Sequence, residues 1–259
     1  MGKLKKREIT FHSSDDIDYM IKLCGLCNLL VCSLGAGASY LFYREGVGSN
    51  NNSWLIGIIL AIISSIFYFT IYFKKEISPT VRWSGAGVAI CISFSYLFTN
   101  LTISPFIYNS MPLYVNVSGL LLVSSIHLYW IVYSFKNIQT IFNTPELLST
   151  LYQEHERIFI YSNGIQQKII EEKMNRRYFP HPILWLLIII LSPVSFFLHK
   201  LLIPTFGVNI FHIVLAIISL PVALLFNGLS TSTILVNFYY PTKLYKITGK
   251  EVRISSKIA

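Results

Sequence analysis

The chain has 259 residues, 53% of them hydrophobic and 13% charged, about half the charged share of an average soluble domain. Apolar blocks of about 20 residues, the length that crosses a ~30 Å hydrocarbon core, recur along it and exclude an ordinary water-soluble domain. The net charge of +9 is not the footprint of a nucleic-acid binder, because the basic residues stand at the ends of apolar segments rather than in one patch.

Residues 1–19 are basic at Lys3, Lys5, Lys6 and Arg7 and then acidic at Asp15, Asp16 and Asp18. With no A-x-A-like cleavage site, this start reads as a retained cytoplasmic segment and not as a signal peptide. Within it, Glu8–His12 is compatible with an extended strand.

Six apolar blocks follow, predicted as membrane spans over 20–43, 54–73, 83–103, 113–135, 182–203 and 208–240. The polar, glycine-rich stretch Arg44–Ser53 closes the first. Lys74-Lys75-Glu76 and Pro79 close the second, Pro105 and Pro112 the third, and Lys136 the fourth. In the first span, Gly35-Ala-Gly-Ala-Ser39 is a face on which another helix can approach closely. Cys24-Gly-Leu-Cys27 is formally a C-x-x-C, but inside an apolar helix two thiols make neither a zinc site nor a disulfide framework. Both features read as packing.

Lys and Arg counts set the orientation. With the amino terminus in the cytoplasm, all basic residues except Arg44 and Lys200 fall on cytoplasmic segments. Trp54, Tyr40 and Tyr43 on one face, and Trp83, Trp130, Tyr133 and Trp185 on the other, stand where aromatic rings anchor at headgroup depth. The expected fold class is therefore an all-α integral membrane protein with about six transmembrane helices and both termini cytoplasmic. A bacterial inner membrane is the expected location.

The cytoplasmic loop 136–181 has its own organisation. Thr144-Pro145-Glu146 is a helix start, with a capping hydroxyl, proline at the first helical position and an early acid at the positive dipole end. The helix is predicted to reach about Glu156, with Glu154, His155 and Glu156 solvated on diverging directions. Arg157–Tyr161 and Ile165–Ile169 around Ser162-Asn163-Gly164 read as a β-hairpin. One helix running through to Arg177 is the competing reading. The tail, 241–259, alternates at Leu244, Ile247, Val252 and Ile254 in the manner of a strand. Loop, head and tail together are expected to form a small cytoplasmic cap.

Chemistry in a membrane protein is sought first at ionisable groups inside spans, where they are costly and usually functional. No Asp or Glu falls within a predicted span, which argues against a carboxylate relay. His127 is the one ionisable residue well inside a span. Its alternative role is a neutral histidine bonded to a neighbouring helix. The remaining intramembrane polar groups include Asn28, Asn100, Asn116, Asn227 and the run Ser230-Thr231-Ser232-Thr233, ordinarily interhelical bonds worth ~1 kcal/mol each. The sixth block is longer than one crossing requires and holds Pro221 and Asn227-Gly228. It is the candidate for a broken helix of the kind that builds substrate sites near the membrane midplane.

His127, Asn116, Pro221, Asn227, Gly228, Ser230 and Thr231 are thus the ligand or pathway candidates. No nucleotide, esterase or metalloprotease motif occurs, so the expectation is a non-enzymatic protein with no catalytic residue, no metal and no cofactor. Its expected partners are the lipid bilayer and another membrane or membrane-inserted protein, as for an immunity or exclusion factor. A small transporter or channel subunit, with a pathway along spans four and six, is the alternative.

Overall fold

The computed structural model describes residues 10–11, 14–45, 79–108, 112–162 and 210–257, with single helical positions at 55, 58, 59, 62, 63, 66 and 186. Four described helices are long and apolar enough to cross a membrane, over Asp16–Ala38, Gly85–Ile107, Leu113–Phe142 and Ile213–Thr248. Leu34, Leu122 and Leu128 each expose more than 60% of their surface. Outward leucines on that scale are untenable in water and natural in lipid. At the second predicted block, Leu55, Ile58, Ile59, Ile62, Ile63 and Ile66 are helical and outward-facing, at the spacing of one helix face. The rest of that block, the fifth block except Leu186, and the Asn163-Gly164 turn lie outside the described residues.

In chain order the elements are β1 (Thr10–Phe11), α1 (Ser14–Glu45), α2 (Pro79–Tyr108), α3 (Leu113–Phe142), α4 (Pro145–Leu151), β2 (Tyr152–Glu154) and β3 (Ile158–Ser162). After them come α5 (Ile210–Thr233), a π-helical turn (Ile234–Tyr239), α6 (Tyr240–Thr248) and β4 (Glu251–Lys257). The long helices overrun the predicted spans, because hydropathy marks the lipid-facing part of a helix and not its hydrogen-bonded ends. Pro79 opens α2 instead of closing the preceding block, since a first-turn proline lacks only an N–H that would have no helical partner. Pro105 lies inside α2 with its ring fully buried, where neighbouring helices hold an interrupted ladder in place. Lys136 does not end α3, which continues to Phe142.

Head, loop and tail meet in one four-stranded sheet of order β1-β4-β3-β2. The central pair is parallel, Ile158 opposite Glu251 through Ser162 opposite Ser255, and both outer pairs are antiparallel. Two loop expectations are corrected. The helix that starts at Thr144 stops at Leu151 and not near Glu156, because Tyr152–Glu154 pairs with Phe159–Tyr161. The hairpin therefore turns through His155–Arg157, and His155 and Ile158 exchange backbone bonds of 2.9 and 3.3 Å. With β2 on one side and β4 on the other, both edges of β3 are taken, and the expected partner strand Ile165–Ile169 lies outside the described residues.

The tail is corrected in part. Leu244 and Ile247 belong to α6, whereas Val252 and Ile254 are on β4. Gly249 divides them, since its φ of 68° is the left-handed helix cap that side-chain-bearing residues avoid. Its N–H closes the helix on the Tyr245 carbonyl at 2.8 Å.

The sixth block is not broken at Asn227-Gly228. The helix continues through Pro221, Asn227 and Gly228, and its irregularity comes later, at Ile234–Tyr239. Pro241 explains the position. In an α-helix its ring would clash with the Asn237 carbonyl four residues back, at a cost of ~3 kcal/mol, and the wider π turn moves that carbonyl away. Tyr240 accordingly donates its N–H to Leu235, five residues back.

The largest buried cluster lies where sheet and helices join. It gathers Ile138, Ile141 and Phe142 of α3, Leu151, Tyr152, Phe159 and Tyr161 of the loop, Leu235 and Val236 of the π turn, and Val252 of β4. The Phe142 and Tyr240 rings stack across it. The cap is thus seated directly on the end of α3 and on the π turn that follows α5.

Candidate functional site: a buried polar network between three helices

Polar side chains inside the helices pair in rows that fix how the helices run. Arg82 with Asp18, Ser93 with Asn28, and the Asn100 amide on the Gly35 carbonyl at 2.9 Å join α2 to α1 at nearly constant sequence offset. These two helices are therefore parallel. Cys91 with Thr233, Ser95 with Ser230 and Thr99 with Asn227 join α2 to α5 with the two numbers running in opposite senses, so that pair is antiparallel. Of the small residues of α1, Gly35 serves the first seam: a Cβ there would come within 2.6 Å of the Tyr96 ring, whereas Gly37 faces open space.

Three helices converge at His127 of α3, which is 5% exposed. Its Nε2 lies 2.9 Å from the Thr102 hydroxyl and its Nδ1 2.8 Å from the Asn227 amide nitrogen. The proton positions follow by elimination. Thr102 spends its hydroxyl proton on the Thr99 carbonyl at 2.7 Å, so Nε2 donates to Thr102. Nδ1 then accepts from Asn227, whose NH2 also reaches the Thr99 hydroxyl at 3.5 Å. With the ring neutral both of its nitrogens are matched, one as donor and one as acceptor, and a matched buried network holds helices together instead of destabilising them.

The seven candidates divide on this geometry. His127 and Asn227 are in direct contact, and Ser230 lies one turn along α5, 2.6 Å from Ser95. Thr231 turns back to its own helix, donating to the Asn227 carbonyl at 2.8 Å. Gly228 and Pro221 are buried within α5, and Asn116 stands three turns from His127 on α3, apart from the network. No family model, curated protein or solved structure matches the chain.

Sequence reasoning passed over Thr99, Thr102 and Ser95, hydroxyls at i, i+4 and i+7 on one face of α2. That spacing was the available signal, but a serine or threonine in a helix can satisfy itself on a carbonyl three or four residues back. Outside the spans, burial raises the Tyr152 phenol well above its ordinary pKa of 10, so it stays a protonated donor. It gives its proton to the Val236 carbonyl at 2.6 Å.

Asn227→Leu should destabilise the bundle by about 1 kcal/mol, within the range measured for interhelical bonds in membranes, and His127→Leu similarly. In a double-mutant cycle read by thermal unfolding in lipid nanodiscs, the pair should cost clearly less than the sum, since each change alone strands the other's partner. Additive costs would mean that the two side chains do not bond.

Proposed function

We propose that this protein is a non-enzymatic, multi-pass membrane protein that acts by binding another membrane-inserted protein, in the manner of an immunity or exclusion factor. The observation that carries this reading is the fate of the pathway candidates. His127, Asn227 and Ser230 are taken up in bonds between helices of the same chain, and Thr231 in its own helix. Groups spent on holding the bundle together are poorly placed to line a route for ions or solutes, so transport along spans four and six is the weaker reading.

The proposal includes six crossings with both termini cytoplasmic, in a bacterial inner membrane. The helix directions support the count. α1 and α2 are parallel, which agrees with a proposed crossing between Glu45 and Pro79. α3 and α5 both run toward the sheet, which agrees with another between the loop and Ile210. The sheet supports termini on a common side, because Thr10–Phe11 and Glu251–Lys257 are paired in it. The basic residues support the cytoplasm as that side.

Two measurements test this reading. Photocrosslinking from the outward face of α3 in native membranes, for instance at Leu121, should capture one membrane protein in stoichiometric yield, and expression alone should protect cells from a toxin or phage that uses it. Purified protein that passes ions in liposomes and captures no partner would overturn the interaction reading in favour of transport. Phosphatase fusions should be active after Gly48 and inactive after Glu76, and the reverse pattern would invert the orientation.

A further inference from the structure

Opposite the side that packs on α2 and α5, α3 carries a second pattern. Ser118, Leu121, Ser125, Leu128, Val132 and Phe135 are all exposed, and they follow one another at alternating steps of three and four residues. The mean step is 3.5, the spacing that keeps one stripe of a helix against a second helix in a left-handed crossing. At 1.5 Å per residue the stripe runs for about 26 Å, most of the ~30 Å hydrocarbon core. Val123, His127 and Ser134 are buried and point away from the stripe, into the bundle. The series stops at the cap, where Phe142, seven residues beyond Phe135, is buried in the junction cluster.

Two properties of the stripe favour a helix over lipid as its cover. Its smaller side chains, Ser118, Ser125 and Val132, alternate with the larger Leu121, Leu128 and Phe135, so a facing helix finds hollows for large residues of its own. The second property is a hydroxyl. Ser125 stands near the middle of the predicted span 113–135, and among the described residues it has no hydrogen-bond partner. Ser118, by contrast, turns back to the Val115 carbonyl at 3.3 Å. Hydrocarbon offers a hydroxyl neither a donor nor an acceptor, and an unsatisfied polar group there is costly. Lipid tails would cover the leucines equally well and leave that cost in place.

We propose that α3 pairs along this stripe with α3 of a second copy of the chain. Two copies inserted in the same direction are related by a two-fold axis along the membrane normal, and a two-fold interface brings the same patch of each together. Each residue then meets its counterpart at equal depth, Ser125 against Ser125. A hydroxyl both donates and accepts, so that pair is its own complement. The stripe holds no charged residue, and nothing in it repels a copy. The inference does not rest on the interaction reading: the pair is the form of the protein by itself, and a foreign helix would take the copy's place on the same face.

The test uses purified full-length protein in lipid bilayers, with the photoreactive residue benzoylphenylalanine in place of Leu121 or Leu128 and, as a control, of Leu34 on α1. Leu34 is 64% exposed, as outward-facing as Leu128, but lies off the stripe. Irradiation should join two chains from positions 121 and 128, with a yield several-fold above that from position 34. Ser125→Leu fills the central hollow and removes the hydroxyl, and should lower the yield from position 128 several-fold. Because Ser125 faces away from the bundle, thermal unfolding of Ser125→Leu should match the parent. Single chains from every position would overturn the proposal, as would equal yields from 34 and 128, the mark of random collision, or a yield that Ser125→Leu does not change. With no other protein present, chains that stay single leave the interaction reading standing, and failure to capture a foreign protein in native membranes leaves the pair standing.

Discussion

Arg82→Met should destabilise the protein by about 3 kcal/mol, the low end for removing one partner of a buried ion pair, and more than any other single change at the α1–α2 seam. The Arg82 side chain is 6% exposed and is paired with Asp18, which keeps 27% of its surface. Beneath the pair lie Ile17, Ile21, Ala86 and Ala89, a purely apolar cluster. Nothing in that cluster can replace the guanidinium, so the variant leaves a carboxylate against apolar side chains with only partial access to water. That residual access sets the low end of the range.

The double variant Asp18→Asn with Arg82→Met should recover most of the loss, since removing both charges removes the penalty of burying one alone. Thermal unfolding in nanodiscs, followed by tryptophan fluorescence, separates the possibilities. A double variant as unstable as Arg82→Met would place the cost in lost packing of the arginine stem, and not in the stranded charge.

The same pair marks the boundary of what the sequence made legible. By sequence Arg82 and Asp18 are charges ahead of the apolar blocks at 83–103 and 20–43, whereas the long apolar stretch of α1 begins at Asp16 and takes Asp18 in, and their meeting requires α1 and α2 to be parallel neighbours. No hydropathy profile contains that fact. Apolar blocks were readable because lipid demands about 20 residues of one character whatever the fold. The cap was readable in outline because Ile158–Tyr161 and Val252–Ile254 carry strand residues bounded by polar ones. Tyr152-Gln153-Glu154 was not, because those residues suit a helix as well as an edge strand, and the choice is made by Phe159–Tyr161 on the other side of the turn.

The network shows the same division. His127 and Asn227 stood out as polar residues in apolar runs. Their contact joins positions 100 residues apart and depends on how three helices cross. The sixth predicted span ends at Tyr240, immediately before Pro241, and proline ordinarily ends a helix. Here the helix widens to a π turn and continues, and the Val236 carbonyl finds a donor in Tyr152.

The other large effect is expected at a residue with no side chain. Gly119 of α3 faces the ring of Phe106 on α2, and a Cβ built there overlaps the ring carbons outright. Phe106 cannot simply turn away. It is 8% exposed and packed with Val123 and Ala216, with Ile103, Val115, Leu120 and Ile213 around it. Gly119→Ala must therefore move one helix from the other, and forcing extra volume into a packed site costs about 1–3 kcal/mol. The displacement would also be felt two turns along α3, where His127 reaches Thr102 at 2.9 Å, because a bond of that length has little slack before it is lost. Gly119→Leu should be worse, and Phe106→Ala should rescue Gly119→Ala by giving the new methyl group room. Rescue by Phe106→Ala at a site where each change alone is harmful cannot come from helix propensity, for alanine is the better helix former at both positions. It would locate the cost in the α2–α3 crossing, the contact on which the position of His127 depends. If Gly119→Ala instead melted with the parent protein, the crossing would be looser than this geometry requires and the network would lose its rigid frame.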